Sequence, residues 1–129
     1  MNIFLFILMF ILVTEFETSA QTLQGKWKGT SICQVKNSPC HDEVVVGYIT
    51  RISNKDSFFL VLNKIVNGKE EDMGGGFGFA WDSTKKTLIS IDESRQVKWE
   101  FILTPPGKLN GTLVYKSQLY RIIELTKQE

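Results

Sequence analysis

Histidine, cysteine and proline are scarce in this chain of 129 residues, which has one, two and three of them. The two cysteines, Cys33 and Cys40, are spaced neither as C-x-x-C nor as a zinc pattern, so a redox or metal role is not expected. The lone His41 has no obvious Ser or Cys partner, and no G-x-S-x-G motif is present, so nucleophilic catalysis is not expected. Basic and acidic residues nearly balance, at 15 and 14. The basic ones are scattered along the chain and form no stripe, which argues against a nucleic-acid partner. No apolar run is long enough for a membrane helix. The longest unbroken one, residues 3–13, spans about half of a ~30 Å hydrocarbon core at ~1.5 Å rise per residue. No stretch after residue 20 has helical periodicity, and there is neither an internal repeat nor a linker long enough to divide two domains.

The short apolar run fits the h-region of a secretory signal, although no Lys or Arg precedes it. Thr18-Ser19-Ala20 supplies small residues at the cleavage positions, so residues 1–20 read as a signal peptide and residues 21–129 as the mature domain. No cysteine lies at the cut, so a lipid anchor is not expected. Removing Glu15 and Glu17 with the leader leaves 15 basic and 12 acidic residues, a formal charge of +3. The expected location is exported, periplasmic or extracellular, with no integral membrane span in the mature chain. An even cysteine count there reads as a Cys33–Cys40 disulfide. Closing so short a loop contributes on the order of 2.5 kcal/mol in the chain-entropy model.

The mature chain alternates extended segments with turn chemistry, the spacing of a sandwich or barrel. Eight strands are expected: 25–35, 41–52, 58–66, 73–81, 87–92, 97–104, 109–115 and 119–127. Asn67-Gly68 is the strongest hairpin signal, because both residues tolerate positive φ. Short connections imply an antiparallel meander, and closing it into a barrel removes two exposed edges. The fold class is therefore all-β, a single eight-stranded up-and-down barrel.

If Cys33 faces Cys40 across the first hairpin, Trp27 opposes Val46 and Gly29 opposes Val44. Trp27, Val44, Val46 and Tyr48 then share the inner face. A two-residue turn at Asn67-Gly68 sets Leu62 opposite Met73, Leu60 opposite Gly75 and Phe58 opposite Phe77. Phe79 and Trp81 continue that face. Val97, Trp99, Phe101 and Leu103, then Leu113 and Tyr115, follow from later strands. Strands two, three and eight are apolar on both parities, which leaves their facing open.

Four clusters carry residue types that could make a site. His41-Asp42-Glu43 offers ligand-type side chains, but Asp42 points away from the other two on a strand, so a polar rim at the barrel mouth is the expected role of His41 and Glu43. Gly74-Gly75-Gly76-Phe77-Gly78 lacks the Lys-Ser/Thr of a phosphate loop and reads as a bend or bulge, with interior space beside Phe77 as the sharper alternative. Glu70-Glu71-Asp72 reads as a solvated hairpin, and Asn110-Gly111-Thr112 fits a glycosylation acceptor. The expected ligand-contacting set is Tyr48, Phe58, Gly75, Phe77, Trp81, Trp99 and Tyr115, with His41 and Glu43 at the rim. No catalytic residue, metal or cofactor is expected.

Gly25-Lys26-Trp27 at the start of the first strand and Arg121 in the last resemble the G-x-W opening and late arginine of the lipocalins and wider calycins. The chain is most similar to small exported lipocalin-like domains of bacteria. That resemblance implies that Trp27 packs across the closed end with Arg121 over its ring, both acting structurally. It departs from the family in its short length, the absence of a T-D-Y motif, C-terminal helix or helical lid, and the absence of an R-x-Y clamp at Tyr120-Arg121. It implies a non-enzymatic binding protein for a small apolar or amphipathic ligand. The alternative is a protein-interaction module, such as a calycin-type protease inhibitor using residues 21–24 as a trunk.

Overall fold

A computed structural model describes residues 23–52 and 56–128. The expected signal peptide, Gln21 and Thr22 lie outside the described residues. Eight strands follow in order: β1 Gly25–Cys33, β2 Glu43–Arg51, β3 Ser57–Val66, β4 Lys69–Asp82, β5 Thr87–Asp92, β6 Val97–Thr104, β7 Lys108–Tyr115 and β8 Gln118–Lys127. Each pairs antiparallel with its predecessor, and β1 pairs with β8, so the barrel is closed. The β1–β8 pairing removes the two free edges that an open meander would have.

The turns follow from local chemistry. Val66 faces Lys69 across Asn67-Gly68, and both turn residues have positive φ, as a two-residue hairpin of this hand requires. The β4–β5 and β5–β6 turns share one design. Asp82 Oδ1 accepts from the backbone N–H groups of Thr84 and Lys85, and Asp92 Oδ1 accepts from the N–H of Arg95 and the hydroxyl of Ser94. Each turn then closes on one residue of positive φ, Lys86 or Gln96. In both, an aspartate side chain does the work of a backbone acceptor.

The register of β1 with β2 differs from the sequence expectation by one residue. Trp27 pairs with Gly47, Gly29 with Val45 and Thr30 with Val44. A slip of one turns every side chain to the other face. Val45, Gly47 and Ile49 therefore face inward with Trp27. Val44, Val46 and Tyr48 share the outer face with Thr30, Lys28 and Lys26. The physical reason lies in the connection. Cys33 and Cys40 are joined by a disulfide with Cα atoms 5.9 Å apart, yet Cys40 sits in the loop and not in β2. Asp42 Oδ1 takes the Cys33 N–H where a ladder bond would continue, so β1 stops at Cys33 and β2 starts at Glu43. The disulfide closes an irregular loop instead of fixing a cross-strand pair.

The β3–β4 register is as expected near the turn, where Asn63 faces Asp72. Beyond it, Val61 faces Gly76 and Phe58 faces Phe79. Met73, Gly74 and Gly75 bulge opposite Leu62, inserting two extra residues. An even insertion preserves parity, so Phe77, Phe79 and Trp81 still face inward.

One end of the barrel is packed. Leu23, Trp27, Ile49, Phe58, Trp81, Leu88, Leu103, Leu109 and Leu125 are buried there, with Trp27 at 0% exposure. Its indole Nε1–H donates to the Leu23 carbonyl at 2.9 Å, so the segment entering β1 is tied across the barrel base. Gly111 gives Phe101 its place, since a Cβ there would fall 2.4 Å from the Phe101 ring.

Trp27→Ala is expected to destabilise the fold by about 3–5 kcal/mol, as for other buried aromatics. Trp27→Phe is expected to cost roughly 1–3 kcal/mol, for the lost volume and the orphaned Leu23 carbonyl. Urea unfolding measures both, and a Trp27→Phe loss near zero would show that the indole N–H contributes nothing. At the β7–β8 turn, Lys116 and Ser117 both hold positive φ without being glycine. Ser117→Gly is expected to raise stability by about 0.5–1 kcal/mol by relieving that strain; a lower melting temperature would contradict this.

Candidate functional site

The opposite end is open. The connections there are the disulfide loop between β1 and β2, Asn67-Gly68, the Glu93–Gln96 turn and Lys116-Ser117. A cavity of about 320 Å³ enters the barrel at this end, lined by Ser31, Glu43, Leu62, Met73, Gly75, Phe77, Trp99, Leu113 and Arg121. A second, of about 310 Å³, shares Met73, Gly75, Phe77 and Trp99 and extends past Ser90, Asp92 and Arg95. A third lies beside Trp99 and Leu113, reaching Tyr115 and Tyr120. The first two open around the rings of Phe77 and Trp99, and the third shares Trp99.

Two features of the sequence open this end. Only three residue pairs join β4 to β5, from Asp82 to Ala80, so the two strands part toward the mouth. The bulge at Met73–Gly75 bends β4 away at the same level. Gly74 and Gly75 hold φ of 101° and 95°, and a Cβ at either would meet only open space. Their N–H groups both donate to Asp72 Oδ1, at 2.8 and 3.0 Å. These bonds hold the Asp72 carboxyl below its ordinary value of 3.8. In the gap, Phe77 and Trp99 meet across β5 with ring centroids 5.0 Å apart. Phe79 and Phe101 continue the aromatic column toward the packed end.

Beyond Ser90, Asp92 and Arg95, the polar groups of the mouth come from β1, β2 and β8. Arg121 faces inward and pairs with Cys33. Its Nη1 donates to the Ser31 carbonyl and hydroxyl and to the His41 carbonyl, at 3.3, 3.0 and 3.2 Å. Arg121 thus pins the disulfide loop to the barrel wall while lining the cavity. Glu43 also faces in, its side chain 14% exposed, with His41 Nε2 3.7 Å away. His41 itself is 75% exposed.

Of the residues expected to contact a ligand, Glu43, Gly75, Phe77 and Trp99 line the main cavity, and Tyr115 lines its neighbour. The others do not fit that role. Phe58 is fully buried and Trp81 nearly so, both in the packed end. Tyr48 is on the outer wall, where its hydroxyl donates to Glu70 at 2.7 Å; that bond raises the phenol pKa above its ordinary value of 10.0. His41 stands outside the barrel and contributes its carbonyl to Arg121. The expected Arg121 cover over Trp27 is also absent. Trp27 pairs with Lys127, six residues along β8 from Arg121, or about 20 Å at ~3.3 Å per residue. Arg121 lies instead over the Tyr120 ring, 5.9 Å from its centroid.

Sequence reasoning missed Ser31 and Arg121 as cavity residues. Ser31 shares parity with Trp27 on β1, which was a usable signal. Arg121 shares parity with Ile123 and Leu125, but β8 is apolar on both parities and hides it. Asp92 was read only as the end of the fifth strand. Among the described residues, no group of three or more His, Cys, Asp or Glu side chains could hold a metal, and no helix is long and apolar enough to cross a membrane.

No protein-family model and no curated protein matches the chain by sequence. Its backbone does match solved barrels. A redesigned β-barrel superposes with a TM-score of 0.63 at 15% identity, covering 87% of this chain and 96% of that one. The siderocalin Ex-FABP, which functions through dual ligand specificities, superposes with a TM-score of 0.52 at 13% identity, covering 84% and 71%. The fold is lipocalin-like. At these identities the likeness concerns backbone architecture alone. The lipocalin-like barrel here is short-looped, with one end packed and the other hollow.

Asp72 is the charge that shapes the hollow end. Its lowered pKa means that its contribution is present above the unfolded value and is lost as pH falls through the folded one. Acidification through that lowered pKa, beneath the ordinary 3.8, is therefore expected to release the Gly74 and Gly75 amides, and Asp72→Ala to release them at neutral pH. Amide exchange by NMR reads both. Protection of Gly74 and Gly75 that survives in Asp72→Ala would show that the bulge is held by other contacts.

Proposed function

We propose that this lipocalin-like barrel is an exported binding protein that holds a small amphipathic ligand in its open mouth and performs no chemistry on it. One observation carries the reading. The chain packs one end of its barrel around Trp27 and leaves the other hollow, with an aromatic floor and a few convergent polar groups. Small-molecule sites have this composition, and about 320 Å³ is at the lower end of the ~300–1,000 Å³ they occupy. Phe77, Trp99, Leu62, Leu113 and Met73 would receive the apolar body, and Ser31, Glu43 and Arg121 the polar end. The ligand-binding siderocalin among the similar structures supports the same reading. The Cys33–Cys40 disulfide supports an oxidising, extracytoplasmic location. The trunk-inhibitor alternative loses support at Leu23, which is fully buried in the core.

Native mass spectrometry of the protein recovered from its host is expected to show an adduct of a few hundred daltons. Trp99→Ala is expected to weaken retention of that adduct about tenfold, the loss of one aromatic contact of ~0.5–1.5 kcal/mol plus its buried area. Recovery of only the bare chain, with Trp99→Ala indistinguishable from the parent protein, would contradict a ligand-binding role.

A further inference from the structure

The charges at the mouth are unequally matched. Lys64 and Glu71 lie 3.8 Å apart, and Arg95 and Asp92 lie 3.6 Å apart, so these pairs neutralise one another. Glu43 and Arg121 are the two charged residues that line the cavity of about 320 Å³. They stand on β2 and β8 with β1 between them, and among the described residues neither has an opposite charge within 4 Å beyond the solvent-exposed His41 beside Glu43. The Glu43 side chain is largely buried, yet no described hydrogen bond reaches its carboxylate. Arg121 spends one nitrogen, Nη1, on three neutral acceptors, and its Nε and Nη2 make no described hydrogen bond. A partly buried carboxylate and guanidinium that do not meet each other are costly to close off from water unless an occupant completes both.

We propose that the mouth takes a zwitterion: a small molecule with an ammonium group directed to Glu43, an anionic group directed to Arg121, and a flat or aliphatic body lying on Phe77 and Trp99. An aromatic amino acid is the simplest member of this class. This inference rests on the ligand-binding reading above and narrows it. A singly charged ligand would satisfy one side of the cavity and leave the other desolvated. A neutral apolar ligand would leave both. The aromatic floor also suits the ammonium, since a cation near an indole face is attracted to it.

Isothermal titration calorimetry on the full domain at neutral pH, with four probes sharing an indole body, tests this. The probes are tryptophan, tryptamine, indole-3-propionate and 3-ethylindole. Tryptophan is expected to bind at least about tenfold more tightly than any of the others, since each charge-assisted hydrogen bond is worth ~1.5–3 kcal/mol. Glu43→Gln is expected to erase its advantage over indole-3-propionate, and Arg121→Gln its advantage over tryptamine. Arg121→Gln also loses contacts to Ser31 and His41, so Glu43→Gln, which breaks no described hydrogen bond, carries the decision if Arg121→Gln fails to fold. Equal or tighter binding of a singly charged or neutral probe would overturn the zwitterion and leave the binding role standing. Failure of all four to bind would also overturn it, and the native mass adduct then decides the binding role separately.

Discussion

The seam between β1 and β8, with Trp27 lying across the barrel base beside it, is the constraint on which the rest of the structure depends. A meander of eight short strands has two free edges until its first and last strands meet. Here they meet over seven residue pairs, from Trp27 opposite Lys127 to Cys33 opposite Arg121. Gly29 makes the close approach possible, since a Cβ there would overlap the Glu124 carbonyl. Once closed, the cylinder needs filling at its base, and the indole with Leu23 beneath it does so.

Packing the base has a consequence for the other end. The largest inward side chains cluster toward Trp27, whereas the inward positions nearest the mouth include Ser31, Gly75 and Ser90. Small residues there, with β4 parting from β5, leave the space that the base lacks. Charged side chains that point inward near the mouth, Glu43 and Arg121 among them, stand where water or a ligand can reach them. A division between a dry packed half and a wet hollow half is what a barrel of this size needs if it is to be both stable and able to hold something.

Much of this was legible in the sequence because the side-chain period of a strand is two. Val97, Trp99 and Phe101 alternate with Lys98 and Glu100, so β6 could be faced correctly, as could β4 and β7. Turn residues set the strand count and the barrel. What failed was local. The Cys33–Cys40 pair suggested a register that the irregular loop and the Asp42 side chain set differently by one residue, which put Tyr48 outside. In β2 three consecutive valines carry no alternation to correct the slip. The bulge at Met73–Gly75 was expected in kind but not in size, and its even count preserved the face. Arg121 was hidden because its strand is apolar on both sides, and the resemblance to lipocalins assigned it to the wrong end of the barrel.

Amide hydrogen exchange, followed by NMR on the domain, bears most directly on the closed base and hollow mouth. Slow exchange is expected at the hydrogen-bonded amides along the β1–β8 seam and at the Trp27 indole N–H, with faster exchange at the amides of Ser90–Asp92 and Met73–Phe77 around the mouth. Exchange at the seam and the Trp27 indole as fast as at the mouth would contradict it, because an open meander has no base to plug and no interior to divide.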